Sequence, residues 1–156
     1  MPRKGEAPKR PVLPDPIFGS EVVTRFINKI LRGGKKSTAE QIFYGALSDI
    51  AEATGANPLE VLQQAVRNTM PEVEVRPRRV GGANYQVPVP VSARRQITLA
   101  VRWIVDAARK RNERTMRQRI ARELMDAAKR EGAAYRRREE VYRMAEANRA
   151  YSHYRW

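Results

Sequence analysis

The sequence predicts a mainly α fold, in which a body of six helices carries one projecting two-stranded β-hairpin ribbon. Two observations predict it. Apolar residues recur at three- and four-residue spacing along most of the chain, and residues 72–91 instead alternate with a period of two. A chain of 156 residues is long enough to bury one core. Residues 1–16 hold five prolines and four basic residues, so we expect an extended basic arm there. One helical domain is expected at 17–156, with the hairpin at about 72–91 and a tail at 149–156.

Two helices open the domain. The first follows Ser20, and its apolar stripe ends before Gly33, because paired glycines disfavour further helix. The second is predicted to open at Ser37, since Ser37 and Glu40 have the spacing of a capping box. It ends at Gly55, a residue type that closes helices in the left-handed conformation.

A third helix and the ribbon follow. Asn57 can cap the helix, and Pro58 suits its first turn because the missing N–H would be unpaired there. In the ribbon, valines alternate with polar residues on both sides of the turn at Gly81 and Gly82. Prolines at 77, 88 and 90 exclude a central place in a larger sheet, so the ribbon should project from the body.

Three helices complete the prediction. Ser92 is the expected cap of the fourth, and a basic loop at 109–117 separates it from the fifth. The sixth is expected at about 138–148. Met125 and Met144 fall on the apolar stripes of the last two helices, so both are predicted to lie in the core.

Composition restricts the chemistry. The chain has no cysteine and one histidine, which excludes disulfides, thiolate zinc sites, iron–sulfur clusters and cysteine nucleophiles. We expect no cofactor and no metal. The net charge is +14, and it is uneven: residues 76–119 hold twelve Lys and Arg against two Asp and Glu, whereas residues 37–75 hold one against six. So localised a charge predicts an anionic partner.

Nucleic acid is the partner that a basic, cysteine-free chain most often binds. No apolar run is long enough to span a bilayer, and the N-terminus lacks the apolar core of a secretory signal, so we expect a cytoplasmic protein with no membrane partner. The charge is spread over an arm, a loop, a ribbon and a helix. That spread favours structured RNA, because duplex DNA readers usually concentrate contacts on one recognition helix. A DNA-binding architectural protein is the alternative.

An enzyme is the second alternative, and the sequence disfavours it. His153 lies in the tail, far in sequence from any Ser and Asp pairing that could make it a general base. Residues 33–37 resemble a phosphate-binding loop, but the first glycine of a Walker motif and its preceding strand are missing. Lys35 and Lys36 can still meet a phosphate at a helix N-terminus.

The ribbon carries the clearest binding signal. Arg76, Arg78 and Arg79 can grip phosphates, and Tyr85 offers a ring on which a base could stack. The competing interpretation is an ordinary surface hairpin with solvated arginines. The aromatic residues of the tail have little core left to enter, so an intermolecular contact is one interpretation of them and a local surface role is the other.

Four stretches of the sequence resemble the bacterial small-subunit ribosomal protein seven family. They are residues 78–88 followed by 94–95, residues 144–156, and the shorter runs 26–30 and 34–37. The resemblance implies a helical body with a projecting ribbon and a structural, non-enzymatic role in the small ribosomal subunit. It further implies direct binding to the 3′ major domain of the ribosomal RNA, nucleation of head assembly, and a position near the exit tRNA site and mRNA exit channel. Some members repress their own messenger.

The resemblance, together with the basic loop, assigns roles to individual positions. The rRNA contacts would be Arg3, Lys4, Lys9, Arg10, Lys35, Lys36, Arg76, Arg78, Arg79, Arg94, Arg95, Arg102, Arg109, Lys110, Arg111 and Arg114. The positions facing exit-site tRNA and the mRNA path would be Gly81, Gly82, Ala83, Asn84 and Tyr85. Those directed to protein partners, among them small-subunit protein eleven, would be Arg149, Tyr151, His153, Tyr154, Arg155 and Trp156.

Overall fold

The computed structural model describes Gly5 and residues 10–154, and within them it has six α-helices, one two-stranded antiparallel sheet and a short 3-10 helix. The helices are α1 (Glu21–Ile30), α2 (Lys36–Thr54), α3 (Pro58–Thr69), α4 (Ala93–Lys110), α5 (Met116–Ala128) and α6 (Gly132–Ala147). The strands are β1 (Val73–Val80) and β2 (Ala83–Pro90), and the C-terminal 3-10 helix spans Arg149–Tyr154. The predicted mainly α fold with one hairpin is confirmed.

The core forms around α5, which packs against α2, α3, α4 and α6. Ile120 and Leu124 of α5 are fully buried there. On the opposite side of the core, Phe26 of α1 stacks on Phe43 of α2 with ring centroids 5.1 Å apart. Burying a side chain of this size stabilises the fold by about 1.5–3 kcal/mol. The helical body is therefore a firm support for the basic segments at its surface.

Part of the chain before α1 is tied to the body. Asp15 is only 4% exposed, and its carboxylate accepts hydrogen bonds from the backbone N–H groups of Ile17 and Phe18 at 3.1 and 3.0 Å. The Tyr44 hydroxyl on α2 donates to the same carboxylate at 2.6 Å. Burial, followed by this hydrogen bond, raises the pKa of Tyr44 to about 12. Asp15 thus anchors the end of the predicted arm.

Local signals identify some helix ends correctly. The Asn57 side chain accepts the Leu59 N–H at 3.0 Å, and Pro58 occupies the first turn of α3, as predicted. Gly55 ends α2 in the left-handed region, with φ of 65°. Ser92 stands before α4 as predicted, and its backbone carbonyl accepts the first bonds, but its side chain forms no capping bond.

The capping box predicted for α2 is wrong. The helix begins at Lys36, one residue before Ser37, and no side chain caps its first turn. Glu40, which the box needs, instead lies 3.5 Å from the Lys36 ammonium group. A charged partner one turn away competes successfully for this carboxylate.

The predicted boundaries of the last three helices are also wrong. The basic loop is confined to residues 111–115, because α4 extends to Lys110 and α5 begins at Met116. Helix α6 starts at Gly132, six residues before the expected Arg138. There the Ala134 N–H donates to the Glu123 carboxylate of α5 at 2.9 Å. A carboxylate from another helix thus supports this N-terminus, which local sequence does not reveal.

One of the two methionine predictions is wrong. Met125 packs against the core, but Met144 is 41% exposed. The inner face of α6 is formed by Ala134, Val141 and Ala145, which are all buried. Met144 precedes Ala145 by one residue, and one residue turns the side chain by about 100° around the helix axis. Its side chain therefore leaves the buried face.

The ribbon projects as predicted, with its base fastened to the helical body. β1 and β2 pair in register from Val73 opposite Pro90 to Val80 opposite Ala83. Near the base Val87 is fully buried, and the backbone N–H of Glu72 donates to the Tyr142 hydroxyl of α6 at 3.1 Å. The base of the ribbon is thus attached to the body mainly through α6.

Candidate nucleic-acid interface

The distal half of the ribbon presents two arginines beside a tight turn. Gly81 and Gly82 have φ values of 56° and 89°, the positive values that a two-residue hairpin turn requires. Arg78 and Arg79 lie opposite Tyr85 and Asn84 in the register. In the described part of the chain, no carboxylate forms an ion pair with either arginine. Both guanidinium groups are therefore free to bind an anion.

At the ribbon base, one buried carboxylate joins two predicted contact residues. Glu74 is 8% exposed and forms ion pairs with Arg76 of the same strand and Arg95 of α4, the latter at 2.8 Å. The side chains of the two arginines are 48% and 47% exposed. A guanidinium has five N–H donors, so each arginine keeps donors that face solvent. Glu74 thus orients two cations toward one surface.

Glu74 is a member of this site that the sequence did not predict. Its position two residues before Arg76 places both side chains on one face of β1, and that spacing was a usable signal. The contact with Arg95 gave no such signal, because it depends on how α4 packs beside the ribbon.

Helix α4 carries a stripe of arginines away from the ribbon. Arg95, Arg102 and Arg109 are spaced by seven residues, which places them on nearly the same side of the helix, about 10 Å apart along its axis. Arg102 is exposed and, within residues 10–154, forms no ion pair. The stripe connects the ribbon base with the loop between α1 and α2.

Residues 10–13, which precede α1, run beside this stripe. Arg94 donates a long hydrogen bond of 3.5 Å to the backbone carbonyl of Arg10. The Leu13 carbonyl accepts the Thr24 hydroxyl at 2.9 Å, and Val12 lines a shallow groove together with Arg102. Arg10 therefore joins the α4 surface. Arg3, Lys4 and Lys9 lie outside the described residues.

A basic groove forms the far end of the stripe. It lies between the α1–α2 loop and the start of α5, and its cationic lining residues are Arg32, Lys35, Arg109 and Arg119. Arg109 also donates to the Lys29 carbonyl at 3.0 Å, which fastens α4 to α1. Arg32 and Arg119 are members of this groove that the sequence did not predict. Arg32 directly precedes the run of glycines and lysines at 33–36, so its position in the sequence was a usable signal. Arg119 gave no such signal, because only helix packing brings it to the groove.

The remaining loop and helix cations divide into two groups. Lys110 and Arg114 are exposed, as is Lys35, and none of these three forms an ion pair within the described residues. Lys36 is also exposed, beside Glu40. Arg111 differs: its side chain is 22% exposed, and it contacts the carboxylates of Glu113, Glu123 and Asp126.

Arg111 holds the loop to α5. Its Nη1 atom lies 2.7 Å from carboxylate oxygens of both Glu123 and Asp126. Burial alone would lower the pKa of Arg111, but hydrogen bonds to Glu123 and its neighbours outweigh burial and raise that pKa above its usual range. These contacts occupy Nε and Nη1, and the side chain is only 22% exposed, so Arg111 presents less of its guanidinium to solvent than Arg76 or Arg95 does.

The tail folds back onto the ribbon. Tyr151 and Tyr154 of the 3-10 helix contact the Tyr85 ring, with centroids 4.9 and 5.3 Å away, and the His153 ring lies 4.0 Å from Tyr154. The structure thereby brings together two segments to which different partners were assigned. Arg149 and His153 are exposed, and Arg155 and Trp156 lie outside the described residues.

The described residues offer little for other chemistry. Within them, no group of three or more His, Asp or Glu side chains is placed to hold a metal ion. None of the helices described is long and apolar enough to cross a membrane. The site that remains is the basic surface of ribbon, α4 and groove.

Comparison with known proteins agrees with the motifs of the ribbon and tail. The family model described as Ribosomal protein S7p/S5e matches residues 2–149. The chain belongs to the ribosomal protein S7p/S5e family. It is 58% identical over 156 residues to the small ribosomal subunit protein uS7 of Carboxydothermus hydrogenoformans and 56% identical to that of Acetivibrio thermocellus, with full coverage of both chains in each comparison. The uS7 protein of Nitratiruptor sp. is 58% identical over 155 residues, 99% of each chain.

Membership of the S7p/S5e family confirms the identification made from residues 78–88 and 144–156. A protein of this family is a structural component of the ribosome, so the chain has a structural role and is not an enzyme. The predicted location in the ribosome is confirmed on the same ground. RNA and other ribosomal proteins are its partners as a class.

Proposed function

We propose that this protein binds the 3′ major domain of small-subunit ribosomal RNA and nucleates assembly of the subunit head. The observation that carries the proposal is the series of cations on successive elements, from Arg78 and Arg79 on the ribbon, through Arg102 on α4, to Lys35 in the groove. Structured RNA is bound largely through phosphates and shape. A surface that extends over several elements fits such a ligand better than it fits a DNA groove read by one helix.

The proposed contact surface follows the predicted residues with one omission and two additions. Arg111 is omitted because its guanidinium is bound to three carboxylates, and Arg32 and Arg119 are added because they line the groove. The proposed rRNA contacts are Arg3, Lys4, Lys9, Arg10, Arg32, Lys35, Lys36, Arg76, Arg78, Arg79, Arg94, Arg95, Arg102, Arg109, Lys110, Arg114 and Arg119.

The ribbon tip and the tail are proposed to serve other partners. The tip, residues 81–85, would face the exit-site tRNA and the mRNA exit channel. The tail, residues 149–156, would lie toward small-subunit protein eleven. The exposure of Asn84 at the tip and of Arg149 in the tail supports both assignments. A repressor role on its own messenger would use the same basic surface.

The proposal is tested by measuring affinity as a function of salt for a transcript of the 3′ major domain. The matched controls are a transcript of a different rRNA domain and a duplex DNA of equal length. We expect the cognate transcript to bind at least about a thousandfold more tightly than the DNA, which is the lower margin of specific recognition. Equal affinities with equal salt slopes would instead identify a general polycation and reject the assignment.

A further inference from the structure

Four aromatic rings connect the ribbon with the C-terminal 3-10 helix. Tyr85 of β2 contacts Tyr151 and Tyr154, whose own ring centroids are 6.5 Å apart with nearly parallel planes. His153 extends the cluster through Tyr154. Tyr151 is 36% exposed and Tyr85 is half-buried, so the cluster lies at the surface.

The tail contacts the ribbon in its distal half, through Tyr85. Tyr85 is three residues beyond Gly82 of the turn and pairs with Arg78, so it belongs to the distal half of the ribbon. The base is held separately, by burial of Val87 and by the Tyr142 hydroxyl. A two-stranded ribbon is marginally stable by itself in water. Its distal half therefore needs support of the kind that the tail provides.

We propose that Tyr151 and Tyr154 are positioning residues for the ribbon and act through Tyr85. The 3-10 helix then braces the distal ribbon, and the ribbon tip and tail form one composite surface. What the tip contacts rests on the proposed function, whereas the bracing does not.

Amide hydrogen exchange in the free, full-length protein tests the bracing directly. The double variant Tyr151→Ala, Tyr154→Ala removes both rings that contact Tyr85. Each aromatic pair is worth about threefold to tenfold in a local opening equilibrium. We expect amides of residues 78–86 to exchange at least about tenfold faster, while buried amides of α2 and α5 and the amide of Val87 at the base keep their rates.

Two comparison variants separate positioning from general damage. Tyr151→Phe, Tyr154→Phe keeps the rings and removes only the hydroxyls, so it should restore slow exchange in the ribbon. Tyr135→Ala removes a half-buried α6 tyrosine that lies beside Arg138 and should leave ribbon exchange unchanged. The bracing would be rejected if ribbon amides of the alanine double variant exchanged at the wild-type rate. It would also be rejected if exchange rates rose equally in the ribbon and in the core.

If the double variant does not fold, a measurement on the wild-type protein still tests the inference. Nuclear Overhauser contacts between the Tyr85 ring and the Tyr151 and Tyr154 rings are expected in the unmodified chain, and their absence would overturn the inference. In reconstituted subunits, the alanine pair should weaken exit-site tRNA binding by a larger factor than it weakens rRNA affinity, because only Arg78 and Arg79 of the proposed rRNA contacts lie on the distal ribbon. Unchanged tRNA binding together with a loosened ribbon would contradict the proposed role of the tip and leave the bracing intact.

Discussion

Buried carboxylates organise the cations of this protein residue by residue. Glu123 is fully buried, yet it accepts hydrogen bonds from Arg111 at 2.7 Å and from the Ala134 N–H at 2.9 Å. Glu74 does the same for Arg76 and Arg95 at the ribbon base. A buried charge without a partner is costly, so each carboxylate makes its arginine partners structurally important. Glu74 differs in that its partners remain available to a ligand.

Substituting Arg111→Ala should reduce the free energy of unfolding by about 3–5 kcal/mol, because Glu123 would be left buried without its cation. Urea denaturation of the free protein measures this change. The matched control is Arg122→Ala, whose side chain is 66% exposed and 4.0 Å from Glu113. It should change stability by less than about 0.5 kcal/mol. Equal effects of the two substitutions would show that the Arg111 network contributes little to folding.

The hydrogen bond between Tyr44 and Asp15 predicts a pH effect at the alkaline end. The pKa of Tyr44 is raised from 10.0 to about 12 in the folded protein. The folded state therefore holds this proton more tightly, so the stabilisation is complete below pH 10 and is lost as pH rises toward 12. The difference in unfolding free energy between wild type and Tyr44→Phe should shrink over that range. A difference independent of pH would contradict the raised pKa, and Tyr135→Phe is the control.

At the scale of elements, the ribbon has a base that is packed against α6 and a distal half that carries Arg78 and Arg79. Replacing Arg78 and Arg79 with alanine should lower the salt slope of rRNA binding by about two units, because each arginine would otherwise neutralise one phosphate. The slope of log affinity against log salt concentration measures it. Arg67→Ala is the matched control, since Arg67 is the one basic residue of the acidic segment 37–75. A slope as steep as that of the wild type would place both ribbon arginines in solvent.

At the scale of the whole molecule, α4 joins the ribbon to the distant loop and groove. The double substitution Lys110→Ala, Arg114→Ala should lower the salt slope by a further two units or so, additively with the ribbon pair, because the two patches are far apart. Four substitutions would then remove about four units. A quadruple variant no weaker than the ribbon pair alone would mean that RNA does not reach the α4–α5 loop.

Much of the architecture could be predicted from local patterns. The periodicities identified six helices and the ribbon, because apolar spacing is set by the geometry of each element. Asn57 and the glycines of the turn act within a few residues, and they too behave as predicted. The failed predictions of helix ends have two different causes, one a contact between helices and the other a local pair within one helix. The start of α6 depends on Glu123 of α5, and the cap of α2 is absent because Glu40 pairs with Lys36.

The sequence by itself determined the fold class, the strongly basic surface and, through the runs 78–88 and 144–156, the ribosomal protein family. Those properties depend on spacing, composition and contiguous motifs, which can be read from the order of the residues without knowledge of tertiary contacts. Only the tertiary structure decided that Arg111 is bound by carboxylates, whereas Arg78 and Arg79 form no ion pair with any carboxylate among the described residues. It also decided that Tyr85 meets the tail, because the contacting rings come from segments far apart in the chain and meet only when α6 packs beside the ribbon.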